Sequence, residues 1–225
     1  MDYQLRPQPF STRDAVYTQL KEQILKLELP PGTPLSENET ALLFNVSRTP
    51  VRESFLRLAQ EGLVQVLPQR GTFVSLIDTM LVEEARFMRE QLEKAVILLA
   101  CDHFPEPFLL LLEENLRRQE ECVRLEDDKS MLELDDAFHR ILFDGTSKSH
   151  TWLIMQQMNA HLNRSRMLRL VDDHNYAHLY EQHRFMAEAI KAQDGPAAER
   201  IMKEHLSLNI ADQALLKEKY PNYYK

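Results

Sequence analysis

Glycine is scarce in this chain of 225 residues: Gly32, Gly62, Gly71, Gly145 and Gly195 are all it holds, against an average of about 7%. No two of them lie within eight residues of each other. A GxGxxG fingerprint and a P-loop are therefore excluded, because both need closely spaced glycines to admit a phosphate. Cysteine is scarcer still. Cys101 and Cys122 are too few and too far apart for a zinc knuckle or a redox CxxC pair. Long apolar runs are missing as well. The longest, Ala95 to Cys101, is far short of the roughly 18 residues of a spanning helix, so no membrane partner is expected. The opening MDYQLRPQPFST has no apolar h-region and reads as a disordered tail over residues 1–10. A reduced, cytoplasmic protein is expected.

Abundant Leu, Glu, Met and Lys/Arg instead favour a mostly α chain. The formal charge of −8 argues, taken whole, against a nucleic-acid partner. Its distribution argues otherwise. Prolines cluster early, at 30, 31, 34, 50 and 68, and after Ile77 only Pro105, Pro107, Pro196 and Pro221 remain. This shift places a boundary near residue 77 and divides the chain into 11–77 and 78–225. Residues 1–77 carry eight Lys/Arg and eight Asp/Glu, and are neutral. Residues 78–225 keep 19 basic and 27 acidic residues, so all the net acidity is theirs. Four basic residues of the first part, at 48, 52, 57 and 70, lie close together.

In the first part, Ser11 and Asp14 open a helix with Val16, Leu20, Ile24 and Leu27 on one face, and Pro30-Pro31-Gly32 stops it. Ser36-Glu37-Asn38-Glu39 is a capping box that starts a second helix running to about Phe44. Asn45 suits the left-handed turn that follows. Ser47 caps a third helix with Pro50 in its first turn. Two short helices joined by so tight a turn make a helix-turn-helix. Val51, Phe55 and Leu58 point inward, whereas Arg48, Thr49 and Arg52 gather at the N-terminal end, where a recognition helix meets base edges. Leu63–Leu67 and Thr72–Val74 then form a hairpin wing around Pro68-Gln69-Arg70-Gly71, with Arg70 at its tip.

The stretch PGTPLSENETALLFNVSRTPVRESFLRLAQEGLVQVLPQRGTFV resembles the winged helix of the GntR family of bacterial transcription regulators, through its SRTPVRE core and RG-x-x-V wing. That resemblance implies DNA contacts by Arg48, Thr49, Arg52, Gln69, Arg70 and Gly71. Many relatives carry a basic residue where this chain has Asn38.

Residues 78–225 read as an antiparallel bundle of about six helices, with seven as the alternative: 79–102, 105–125, 130–144, 149–171, 175–192 and 195–217. On 130–144, Met131, Leu132, Leu134, Phe138, Ile141 and Leu142 define an apolar arc from which Asp135 and His139 project. Asp136 and Arg140 face solvent as an i,i+4 pair. His183 lies among Tyr176, Leu179, Tyr180, Met186, Ala187 and Ile190, and His205 among Ala198, Ile201, Met202 and Leu208. Three inward histidines and an inward carboxylate must find partners or share a cation. Such a set suits zinc, nickel or a similar divalent ion. His103, His150, His174 and His178 read as solvated, and His161 has no assigned face.

The D-x-A-F-H run, followed by His183 and His205, is similar to the ligand pattern of the FadR-type C-terminal domain in its metal-binding branch. The R-x-x-L-E run at Arg89–Glu93 extends the likeness. A six-helix count would place the chain nearer the VanR-like subgroup. Arg89 shares a face with Leu92 and Val96, and Arg166 and Asn159 share one with Met155, Met158 and Leu162. An inward arginine wants an internal acid such as Glu93, or an anionic ligand. With a metal nearby, Arg89, Asn159 and Arg166 become candidates for holding a small organic acid, as the resemblance also implies.

The expectation is a ligand-responsive transcription regulator that binds an inverted-repeat operator as a homodimer, not an enzyme. A metal-dependent hydrolase using Asp135, His139, His183 and His205 is the alternative, against which stands the lack of a further inward Glu or His as general base. A helical interaction protein with purely structural histidines is a third reading.

Overall fold

The computed structural model describes residues 12–173 and 176–225. The expected tail, the Ser11 cap and His174 lie outside the described residues. The chain divides into two compact units between Ser75 and Leu76.

In the first unit α1 (Thr12–Leu25) buries Val16, Tyr17, Leu20 and Ile24 against α3 (Arg48–Gln60), which answers with Val51, Phe55 and Leu58. Leu27 does not extend the α1 stripe. It adopts a left-handed conformation (φ 58°) just past the helix end, and closes it. The α1–α3 contact is also polar. Buried Ser54 Oγ donates to the Arg13 carbonyl at 3.1 Å, and the Arg57 guanidinium covers the Tyr17 ring at 3.6 Å. Helix α2 (Glu37–Leu43) starts where Ser36 Oγ accepts the Glu39 N–H at 3.3 Å, and Asn45 turns the chain at φ 52°. Ser47 occupies the N-cap of α3 in extended backbone, but its side chain makes no capping bond.

The wing pairs β2 (Val64–Leu67) with β3 (Gly71–Val74), from Val64 opposite Val74 to Leu67 opposite Gly71. A short strand β1 (Pro34–Leu35) adds to the other side of β3, giving the order β1-β3-β2. Sequence reasoning missed β1, because two residues starting with a proline carry no alternation to detect.

The second unit contains α4 (Thr79–Asp102), α5 (Glu106–Leu125), α6 (Asp128–Gly145), α7 (Ser149–Gln156), α8 (Ala160–Asp173), α9 (Tyr176–Lys191) and α10 (Gly195–Lys219). These are seven helices among the described residues, not six. The expected 149–171 helix breaks at Gln157–Asn159, which removes the ground for a VanR-like placement. The break also leaves Met158 45% exposed, off the face expected to join Met155 and Leu162. No glycine or proline marks this break. Met155, just before the break, and Asn159, within it, are both buried, so packing bends the chain where local chemistry would let it continue. The core of the bundle gathers Ile97, Ala100, Leu112, Phe138, Leu142, Met186 and Met202, and α10 packs along α4. No helix among the described residues is long and apolar enough to cross a membrane.

Candidate functional site

Two assemblies carry chemistry, one in each unit. In the first, Arg48, Thr49 and Arg52 are exposed on α3, and Gln69, Arg70 and Gly71 are exposed at the wing turn. The turn depends on left-handed backbone at Gln69 (φ 61°) and Gly71 (φ 105°). A concavity lined by Glu37, Arg48, Thr49, Arg52, Glu53 and Leu56 opens beside the N-terminus of α3. Glu37, from the first turn of α2, receives a hydrogen bond from Arg48 Nη2 at 2.7 Å and so orients the leading arginine of α3. Asn38 is exposed on α2.

In the second unit Asp135, His139, His183 and His205 converge from α6, α9 and α10. All four are buried, and one ligand atom from each lies within 4.8 Å of all the others. His183 and His205 each set Nε2 at 3.6 Å from Asp135 Oδ1, and His139 Nε2 lies 3.8 Å from Asp135 Oδ2. His139 Nε2 and His205 Nε2 are 3.0 Å apart. The opposite ring nitrogens face acceptors. His139 Nδ1 lies 2.5 Å from Glu93 Oε2, His183 Nδ1 lies 2.8 Å from Gln119 Oε1, and His205 Nδ1 lies 3.0 Å from Gln182 Oε1. The ring of His183 stacks on Phe138 with centroids 4.2 Å apart.

Electrostatics follow from burial and charge. Burial drives the Asp135 carboxyl upward, but the positive charge of Arg166 beside it outweighs this and holds the group well below the usual carboxylate range. Burial pushes His183 down to about 3 and His205 well below its ordinary value, so both rings are neutral near pH 7. Glu93 is likewise buried, yet Arg89 and His139 bring it down to about 2. An imidazole and carboxylate set of this kind could hold a divalent cation.

The candidate ligand-binding arginines have internal acids. Arg89 Nε donates to Glu93 Oε1 at 2.6 Å, while its Nη2 has no hydrogen-bond partner. Arg166 pairs with Asp135, with Asp136 at 2.8 Å and with Asn163 at 3.0 Å. The expected Asp136–Arg140 pair is thus not formed. Asp136 turns to Arg166, and Arg140 bonds Asp144 at 3.3 Å. Asn159 is 1% exposed and neither side-chain polar atom has a hydrogen-bond partner.

Other histidines separate cleanly. His103, His150 and His178 are exposed. His161 is buried and its Nδ1 accepts from the Asp78 N–H at 2.9 Å, with Arg164 Nη2 at 3.0 Å. Sequence reasoning missed the partners around the cluster. The Arg89–Glu93 pair suggested from sequence is formed, but the same Glu93 also faces His139, which was not foreseen, so it is not free as a general base. Asn115 and Gln119 interrupt an inward stripe between Leu112 and Cys122 on α5, and that interruption was the legible signal.

A winged helix presenting arginines, followed by a helical bundle with a polar buried centre, defines a DNA-binding regulator with a separate helical domain. The family of bacterial regulatory proteins, gntR family, matches residues 12–74, and the FCD domain matches residues 84–208. The chain belongs to the GntR family of transcription regulators with an FCD domain, and neither family is one of enzymes. The hydrolase alternative therefore finds no support. The HTH-type transcriptional repressor RspR of Escherichia coli (strain K12) is 35% identical across 92% of this chain and 90% of its own. A regulator in an unstable DNA locus of Streptomyces ambofaciens is 40% identical across 87% of this chain and 82% of its own. Among solved structures, E. coli McbR/YncC shares the fold at TM-score 0.77 and 23% identity, covering 93% of this chain and 99% of that one. A putative GntR regulator from Rhodococcus sp. RHA1 follows at TM-score 0.72 and 25% identity, with the same coverage.

Proposed function

We propose that this protein is a ligand-responsive regulator that binds a short inverted-repeat operator as a homodimer, and that its second unit senses a small organic acid at a divalent metal site. Residues 11–77 would read DNA through Arg48, Thr49, Arg52, Gln69, Arg70 and Gly71. Residues 78–225 would bind the effector and supply the dimer contact, in the cytoplasm. One winged helix spans few base pairs, so two-fold symmetry supplies the specificity a monomer lacks.

The observation that carries the sensing half is the set of imidazole Nε2 atoms converging on Asp135 while their Nδ1 atoms face Glu93, Gln119 and Gln182. His183 Nε2 is buried without a hydrogen-bond partner. Lone pairs aimed at one point fit a cation better than they fit each other. Asp135, His139, His183 and His205 would hold zinc or nickel, and the ion would supply a Lewis-acidic anchor for a carboxylate. The unpartnered Arg89 Nη2 and Asn159 amide suit the polar groups of such an acid, with Arg166 adding positive charge. An effector shifts DNA affinity only by binding two arrangements unequally. We assign that shift to α4, the helix carrying Arg89, and an Arg89→Ala protein retaining full effector response would refute this route.

The DNA half is tested by Arg52→Ala, which should lose about 1–3 kcal/mol of discrimination between selected and random sites. Glu113→Gln, at an exposed acid paired with Lys191, should leave it unchanged. Equal binding by both variants overturns the recognition-helix assignment. Native mass spectrometry of the purified chain then reads dimer mass, bound metal and any co-purified acid together.

A further inference from the structure

Apolar packing does not account for Asn115 and Gln119, which are 5% and 0% exposed on α5. Burying an amide is costly unless its hydrogen bonds are met, so two of them one turn apart call for a reason. We propose that Asn115 and Gln119 form a positioning relay that sets the tautomer of His183 and so readies it as a metal ligand. This inference rests on the metal reading of the cluster.

The direction of the relay is fixed at its far end. The Leu134 carbonyl can only accept, and it receives Asn115 Nδ2 at 3.0 Å. Asn115 must therefore turn Oδ1 away from it, and this oxygen accepts from Gln119 Nε2 at 2.6 Å. Gln119 is left with Oε1 facing His183 Nδ1 at 2.8 Å, an arrangement satisfied only when Nδ1 carries the proton. The Nε2 lone pair of His183 is then bare, 3.6 Å from Asp135 Oδ1. Stacking on Phe138 resists rotation of the ring out of this arrangement. The opposite tautomer would set an unprotonated Nδ1 against a carbonyl oxygen and aim an N–H at the other imidazoles.

The relay also ends at a telling place. Leu134 immediately precedes Asp135, so one chain of hydrogen bonds ties the ligand on α9 to the stretch of α6 carrying another. Asn115 touches neither the cluster nor His183 by any of these bonds, yet its loss frees the Gln119 amide to flip. A flipped Gln119 would present Nε2 to His183 and select the tautomer that cannot ligate through Nε2.

The test uses the full-length, metal-stripped protein. Long-range 1H–15N spectra of the histidine rings report the tautomer of His183, and competition with a chelator reports zinc affinity. The wild type should hold His183 as Nδ1–H and bind zinc. Asn115→Leu and Gln119→Leu should bind zinc about 10–100-fold more weakly, with unchanged far-ultraviolet circular dichroism and His183 no longer held as Nδ1–H. Folded variants with wild-type zinc affinity, or a wild-type His183 found as Nε2–H, overturn the relay. Should the variants fail to fold, the wild-type tautomer alone decides between the same two outcomes. A wild type that holds Nδ1–H but takes up neither zinc nor nickel refutes the metal reading instead, and with it the relay's purpose.

Discussion

Arg48 and His161 illustrate how much a single neighbour decides. Arg48 is a solvent-exposed arginine whose guanidinium is held by Glu37. In the proposed role of Arg48 as a DNA contact, such an acid would weaken attraction to phosphates in general while restricting where the arginine points. Glu37→Gln should raise affinity for random DNA severalfold and narrow the gap to a selected site, as read by binding titrations at fixed salt. His161 is a pH-sensitive residue outside the cluster. Burial first, and then the charge of Arg164, push it down to about 4, below the roughly 6.5 of an unfolded histidine. As pH falls the unfolded chain takes the proton first. The contribution of His161 is therefore complete above pH ~6.5 and drains away as pH drops toward 4, by on the order of 3 kcal/mol. Denaturant unfolding of His161→Gln, which keeps an acceptor, should be flatter with pH across that window than that of the wild type.

Among elements, the wing and the C-terminal tail make separate predictions. Gly71 sits at φ 105°, where any side chain strains the backbone. Gly71→Ala should cost about 1 kcal/mol and weaken DNA binding severalfold at unchanged helical content. At the other end, Tyr224 is buried and pairs with Ile77, whose N–H reaches the Tyr223 carbonyl at 2.7 Å. Lys225 Nζ adds an ion pair with Asp78 at 2.8 Å. Tyr224→Ala should cost ~3 kcal/mol in thermal unfolding of the second unit. The recognition helix was legible from Val51, Phe55 and Leu58 because a 3.6-residue period and local caps determine it. The α7–α8 break was not, because Gln157–Asn159 holds no local breaker and only the burial of Asn159 bends the chain.

At the scale of the molecule, the charge of −8 is the sum of a neutral reading unit and an acidic bundle. If the exposed cations on α3 and the wing meet the phosphates as proposed, DNA affinity should still fall steeply with salt despite the net charge. Zinc at about 100 times its dissociation constant should stabilise the protein by ~2.7 kcal/mol. Asp135→Asn should abolish that gain in thermal melts. The four inward residues of the cluster were legible as faces of three separate helices. Their shared centre was expected from the likeness to the FadR-type ligand pattern, but its geometry was not legible, because it depends on how α6, α9 and α10 pack.

The sequence by itself determined most of the residues that turn inward, where most helices begin and end, and that a winged helix precedes a bundle. Those features follow from periodicity, capping and turn chemistry, all of which act over a few residues. Only the tertiary structure decided that Asp136 pairs with Arg166 instead of Arg140, that Glu93 faces His139, and that Asn115 and Gln119 line up behind His183. Each of these partners lies on a different helix, or is chosen against a nearer one. Burial makes an unpaired polar group costly, and it is the packed interior that dictates which distant group can meet it.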